Sequence, residues 1–315
     1  MYRAAPPGAA GAGDGPLRVA WAGRQAFGPG SSAAALDPHL RVYLSDMAAP
    51  YGLALREDLL AEGRGQSYGE MAGPLLAQLV SPDQPVDLLI LAFAGHDVVP
   101  GRSAAAYLSS LCPGEPMAFA VCDQGSAAPF TGLQLIREYT RTAQCRRAVL
   151  AVVEQDTLPY EVAEPAVLPT RSAAVLLLCD QDGTGGLQEV RQYPGTSPAQ
   201  AGALLARELT ALAGGRDDVT LIAGSALAPP AGSAGTAPLR AALPAGSEVV
   251  FGPAGQPVTG VWWELAGGLP GWATRGRRVL LAEYEAALRY LCVSVIDISP
   301  EPAAAAPRPA AQHVP

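Results

Sequence analysis

From residue 17 onward, short runs of consecutive apolar residues alternate with stretches whose apolar positions recur every three to four residues. An apolar run of four to eight residues bounded by turn formers reads as a strand buried on both faces, and the longer period reads as a helix packed on a core. Strands are therefore predicted at Leu17–Ala22, Val86–Phe93 (VDLLILAF), Met117–Val121, Ala148–Val153 and Ser172–Cys179, with helices at Tyr68–Val80, Ser103–Leu111 and Ser126–Thr142. The alternation then restarts with strand Gly186–Tyr193, helix Pro198–Ala213, strand Val219–Ala223, helix Val258–Gly267 and a closing strand pair, Val279–Tyr284 and Tyr290–Ile298. Phe27–Leu40 carries no clear periodicity. Two rounds of strand and helix predict an α/β protein with mixed or parallel sheets covered by helices, the second round reading as a degraded copy of the first. The expected organisation is a disordered Ala/Gly/Pro-rich segment at 1–16, an N-terminal half at 17–183, a C-terminal half at 184–299 and a disordered tail at 300–315.

Composition narrows the chemistry. At 315 residues the chain can bury a large core, and 49% hydrophobic with 16% charged residues excludes a largely disordered protein. All 21 basic residues are Arg, so Schiff-base and P-loop chemistry, which need a Lys, are excluded. A net charge of -8 argues against a nucleic-acid partner. An acidic carrier protein would need a local basic patch, for which Arg137, Arg141, Arg146 and Arg147 are candidates, although such clusters are also ordinary solvated helix faces. The five Cys lack CxxC spacing and are odd in number, which predicts a reduced, cytoplasmic protein. His39, His96 and His313 are too few and too scattered for a His-rich metal site, and no metal or bound cofactor is expected. No apolar run has the length of a membrane span, and no secretory signal pattern opens the chain.

One stretch has the layout of a nucleophile turn: Phe119–Val121 ends a buried strand, Cys122-Asp-Gln-Gly-Ser126 forms a polar turn, and a helix follows. Orphan N–H groups at the start of that helix would favour a thiolate or an oxyanion. Cys122 reads either as a displaced nucleophile or as a small core residue. Ser126 reads either as a nucleophile or as a helix N-cap, and Asp123 as a local base or a dipole-matched cap. His96 with Asp97 fits an exposed loop or interface turn, Trp262-Trp263 a core contact on one side and a partner surface on the other, and Arg275–Arg278 a solvated turn.

In order along the chain, Tyr51-Gly-Leu-Ala-Leu-Arg56, Gly69-Glu-Met-Ala72, Val86-Asp-Leu-Leu-Ile90, the nucleophile stretch, Pro169-Thr-Arg-Ser-Ala-Ala-Val-Leu-Leu177 and Gly276-Arg-Arg-Val-Leu-Leu281 resemble successive segments of the thiolase superfamily, most closely its β-ketoacyl-acyl carrier protein synthase III branch. The resemblance covers roughly residues 17–298 and implies a thiolase fold: two similar αβ halves in a layered α-β-α-β-α arrangement. The family's chemistry uses a Cys at the nucleophile turn with a His and an Asn that stabilise the developing enolate. Here the matching positions carry Gly125, Gly224 and Gln256, and no His lies between His96 and His313. Gly cannot carry an acyl group, and the extra methylene of Gln displaces its amide by on the order of 1 Å, enough to cost a large factor in rate.

The resemblance thus implies a ketosynthase-like chain that has lost decarboxylative condensation. One expectation is a non-catalytic subunit, similar to a chain-length factor, that pairs with an active ketosynthase in polyketide, fatty-acyl or other specialised-metabolite biosynthesis. That complex would act on an acyl-coenzyme A or acyl carrier protein thioester. The alternative is an acyltransferase using Ser126 or Cys122 to pass an acyl group from carrier protein or coenzyme A to an alcohol or amine. A homodimeric acyl-binding scaffold without turnover is a third possibility.

Overall fold

The computed structural model describes residues 17–28, 30, 37–142, 145–161, 168–229 and 236–300. The segment expected to be disordered at the N-terminus, and the tail apart from Pro300, lie outside the described residues. Ten strands are described: β1 (Arg18–Phe27), β2 (Leu88–Ala92), β3 (Met117–Val121), β4 (Ala148–Glu154), β5 (Ser172–Asp180), β6 (Gly185–Pro194), β7 (Val219–Ala223), β8 (Glu248–Phe251), β9 (Arg277–Glu285) and β10 (Tyr290–Ile298). The helices are α1 (Pro38–Ala48), α2 (Glu57–Glu62), α3 (Tyr68–Leu79), α4 (Ala104–Ser110), α5 (Ala128–Arg141), α6 (Pro198–Ala213), α7 (Ala237–Ala241) and α8 (Gly260–Trp272).

The strands form one sheet in the order β3-β2-β4-β5-β1-β6-β10-β9-β7-β8. Read inward from either edge, each half places its third, second, fourth, fifth and first strands in turn. The pairing repeats as well. β2 is parallel to β3 and β4 while β5 is antiparallel to β4 and β1. In the second half β7 is parallel to β8 and β9 while β10 is antiparallel to β9 and β6. The halves meet through two register pairs, Arg18 with Gly186 and Val19 with Gly185.

Side-chain alternation along the buried strands then dictates the layers. On β2, Leu88 and Ile90 face a core shared with Phe130 and Leu133 of α5 and Trp262 and Leu265 of α8, whereas Leu89 and Leu91 face Met71 of α3 and Leu108 of α4. On β9, Val279 and Leu281 point to that same central core, whereas Leu280 and Ala282 face Leu205 and Leu209 of α6 and Leu239 of α7. Helices α5 and α8 therefore lie between the two halves of the sheet, giving five layers, α-β-α-β-α. Apolar strands of five to nine residues need cover on both faces, and this arrangement supplies it.

Several boundaries differ from the sequence reading. β1 continues to Phe27, and the helix expected at Val258–Gly267 runs instead from Gly260 to Trp272. The helix expected from Ser126 begins at Ala128, after a 3-10 turn at Gly125–Ala127. Arg277 and Arg278 belong to β9 and pair with Glu248 and Asp297, so only Arg275 and Gly276 of the supposed solvated cluster lie in a turn. The four-arginine patch is also divided: Arg141 pairs with Glu138, and Arg147 is largely buried beside Asp180.

Candidate functional site

The strand-turn-helix expected around residues 119–133 is present, with β3 leading through Cys122–Gln124 and the 3-10 turn into α5. Asp123 has φ +60° and Gly125 φ +53°, so the turn is wound through two left-handed residues, and only the second is a glycine. What occupies the start of α5 is a carboxylate from the other half of the molecule. Glu285, the last residue of β9, accepts hydrogen bonds from the Ser126 N–H (3.0 Å) and the Ser126 hydroxyl (3.2 Å), both at Oε2. Its Oε1 accepts from the Ala287 N–H at 3.1 Å. A Cβ on Gly125 would collide with this carboxylate.

At Gly224, which the resemblance sets against the family's His, the arrangement repeats. Gly224 follows β7, its N–H donates to the Ala282 carbonyl at 2.8 Å, and a Cβ there would collide with the carboxylate of Glu283. Glu283 and Glu285 are two apart on β9 and therefore share the strand face that looks into the central layer. Glu283 is 5% exposed and faces Cys292 across the β9–β10 ladder. Burial pushes its carboxyl up to about 8, and Glu285 and Glu154 push it in the same direction.

Gln256, which the resemblance sets against the family's Asn, is also enclosed. Gln256 is 2% exposed, accepts from the Arg171 guanidinium and donates from Nε2 to the Thr259 hydroxyl at 3.0 Å. Thr259 in turn donates to Glu154, which also accepts from the Val258 N–H at 2.9 Å. Burial raises the Glu154 carboxyl to about 7 against these hydrogen bonds and the charge of Arg171, which pull it down. The fold thus sets a carboxylate against each of the three positions, Glu285 half-buried and the other two buried: Gly125 against Glu285, Gly224 against Glu283, and Gln256 joined through Thr259 to Glu154.

The other candidates fall into place around this group. Ser126 is 5% exposed and does not cap α5, whose N-cap is Ala127 without a side-chain bond, because its hydroxyl is committed to Glu285. Cys122 donates to Asp123 at 3.4 Å, and burial together with that carboxylate raises its thiol, the opposite of nucleophile activation. Asp123 thus faces Cys122, while Ser126 is bonded to Glu285 instead. His96 is exposed and its carbonyl accepts from Gln155, while Asp97 is buried and accepts from the Tyr68 and Val99 N–H groups at the start of α3 and in its own loop. Trp262 is fully buried against Phe130, and Trp263 carries the guanidinium groups of Arg24 and Arg171 at 4.8 and 4.7 Å from its ring. Among the described residues no three His, Cys, Asp or Glu side chains are placed to hold a metal ion, the five Cys are unpaired, and no helix is long and apolar enough to cross a membrane.

Glu283 and Glu285 escaped the sequence reading. Their signal was present in Val279-Leu-Leu-Ala-Glu-Tyr-Glu285, where two acidic residues with strand spacing interrupt an otherwise apolar strand.

Neither a protein-family model nor a curated protein matches the chain. Solved structures do. AbyA1, a tetronic acid condensing enzyme, aligns with a TM-score of 0.58 at 17% identity over 89% of this chain and 99% of its own. The fold is the thiolase fold. ChlB3, described as an acyltransferase, aligns with a TM-score of 0.57 at 15% identity over 90% of this chain and 98% of its own. The 3-oxoacyl-(acyl carrier protein) synthase III of Pseudomonas aeruginosa PAO1 aligns with a TM-score of 0.55 at 17% identity over 91% and 99%. At these identities the likeness is one of fold, and the thiolase-fold neighbours include both condensing enzymes and an acyltransferase.

Proposed function

We propose that this chain is a non-catalytic, ketosynthase III-like subunit that pairs with an active ketosynthase and shapes its acyl pocket, in polyketide, fatty-acyl or other specialised-metabolite biosynthesis. The observation that carries this reading is the double replacement at the thiolase-fold reaction centre. The resemblance sets Gly125 and Gly224 at the nucleophile and His positions, and Glu285 and Glu283 fill the space that side chains there would need. An acyl thioester delivered to α5 would meet a carboxylate already bound to the helix start. The partner would supply Cys, His and Asn, and the complex would receive its acyl group as a thioester of acyl carrier protein or coenzyme A.

The sheet supports such pairing. Among the described strands β3 is an edge strand with one side unpaired, and Met117 on it is 42% exposed. Tyr107 and Leu111 of the adjoining α4 region are 51% and 41% exposed, so the edge carries an apolar margin suited to another thiolase-fold chain. The nucleophile turn lies at the end of that same strand, which would bring it close to the partner.

Acyl transfer by Ser126 is the second reading. It is favoured by the Ser126 hydroxyl bond to Glu285, a carboxylate placed to take its proton. The same oxygen, however, also takes the Ser126 N–H that an oxyanion would need, so base and oxyanion donor block each other. Co-expression with a Cys-His-Asn ketosynthase, followed by size-exclusion chromatography and mass spectrometry of both chains after exposure to an acyl-carrier thioester, separates the readings. Co-elution with the acyl group on the partner alone is expected. A lone chain acylated at Ser126 would establish the second reading instead.

A further inference from the structure

Each half of the molecule ends its fourth strand on a glutamate that holds the central helix of the other half. Glu154 closes β4 and accepts from the Val258 N–H and the Thr259 hydroxyl ahead of α8. Glu285 closes β9 and accepts from the Ser126 N–H and hydroxyl ahead of α5. In both cases the bonded N–H belongs to the residue two positions before the first helical residue, Val258 before Gly260 and Ser126 before Ala128. The seam between the halves is thus fastened twice by crossed carboxylates, each satisfying orphan donors and matching the positive end of a helix.

Glu283 is two residues before Glu285 on the same face of β9, and both fastening carboxylates act on it. Its Oε1 accepts from its neighbour's N–H, Tyr284, at 2.9 Å. The titratable groups acting on it are Glu285 on its own strand and Glu154 from β4, and it acts in turn on Cys292 from β10. From the turn after β7 it meets Gly224, which has no side chain and whose N–H is already given to Ala282. Arg171 acts on Glu154 and is bound to Gln256. No cation offsets a charge on Glu283 among the described residues that act on it.

We propose that Glu283 is a proton switch for this seam: protonated, it lets Glu154 and Glu285 hold both helix starts, and ionised, it is repelled by both and loosens the β9–β10 hairpin from Ser126, uncovering the nucleophile turn. The proton passes to solvent base and returns on acidification, so no other reactant is needed. Two like carboxylates sharing a buried site resist joint ionisation, and low dielectric magnifies the repulsion. Burial raises the Glu283 carboxyl to about 8, so mildly alkaline solution spans the change. The switch operates whether or not the chain pairs with a catalytic partner.

Amide hydrogen exchange of the purified full chain, normalised to unstructured rates, tests it between about pH 6.5 and about pH 9. Protection at Ser126–Phe130 and Val258–Val261 is expected to fall by about tenfold or more across that range, while Glu283→Gln keeps its low-pH protection throughout. Protection that is independent of pH in the wild type, or that falls equally in Glu283→Gln, overturns the proposal. Carboxyl NMR of the isotope-labelled wild-type chain provides a test that needs no variant. A glutamate titrating at the same midpoint as the loss of protection is expected, and its absence overturns the proposal.

Discussion

The carboxylate of Glu285 stands where a side chain on residue 125 would have to be. The two residues are 160 positions apart in sequence and belong to opposite halves of the fold, yet each explains the other: the glycine leaves the room, and the glutamate takes both donors of Ser126. Restoring a thiol at the family position is therefore not a one-residue repair. Gly125→Cys is expected to lower stability by about 1–3 kcal/mol through overpacking and through the left-handed backbone it must adopt. Its thiol should react slowly with iodoacetamide. Gly125→Cys combined with Glu285→Gly relieves the overpacking and should alkylate faster, as the helix start then faces an open thiol. Urea denaturation and alkylation kinetics measure both effects, and equal alkylation rates in the single and double variants would falsify the plug.

Stability should fall as pH rises from about 5 to about 9. Asp97, Glu154 and Glu283 are all pushed upward by burial, to about 6, 7 and 8. A carboxyl raised in the folded state binds its proton more tightly there than in the unfolded chain. Its stabilising contribution is whole below the unfolded value near 4 and is lost as pH climbs through the folded value. Each group contributes on the order of 1–3 kcal/mol across its window. Unfolding midpoints in denaturant at pH 5, 7 and 9 read this out, and Glu283→Gln should remove the part lost between about pH 7 and 9. A midpoint that rises with pH would show that these carboxyls are not held protonated.

Ser126→Ala separates a structural hydroxyl from a catalytic one. It removes one of two hydrogen bonds to Glu285 and leaves the backbone bond in place. A loss of about 1 kcal/mol in stability is expected, with no change in the activity of a complex formed with an active ketosynthase. Abolished acyl labelling in this variant would move the chain to the acyltransferase reading.

The buried strands were legible because their apolar runs exceed what a half-exposed strand carries, as in Val86–Phe93, where β2 is buried from end to end. Helix α1 was not. Its buried residues are Leu40, Leu44 and Ala48, a single stripe one turn apart, and the exposed Val42 and Tyr43 erase the contrast on which periodicity depends. Helices α2 and α7 and strand β8 are four to six residues long, too short to establish a period. At the site, Gly125, Gly224 and Gln256 could be read as departures from a resemblance, but sequence showed only what was missing. What replaced it required the register that lays β9 beside β7 and the packing that brings its end to α5.

The edge of the sheet gives the last prediction. Among the described residues β3 pairs with β2 alone, so the backbone groups on its far side are open to another strand, and its exposed positions are Met117 and Ala120. Charge at these positions meets water in the isolated chain but would be buried against an apolar partner strand, where an unpaired charge costs several kcal/mol. Met117→Asp with Ala120→Arg should therefore leave the melting temperature of the isolated chain within about 2 °C of wild type. It should also abolish co-elution with the active ketosynthase. Changing Tyr107 to Ser should weaken pairing less, since that residue borders the edge rather than forming it. Retained co-elution of the charged double variant at micromolar concentration would place the partner on another surface.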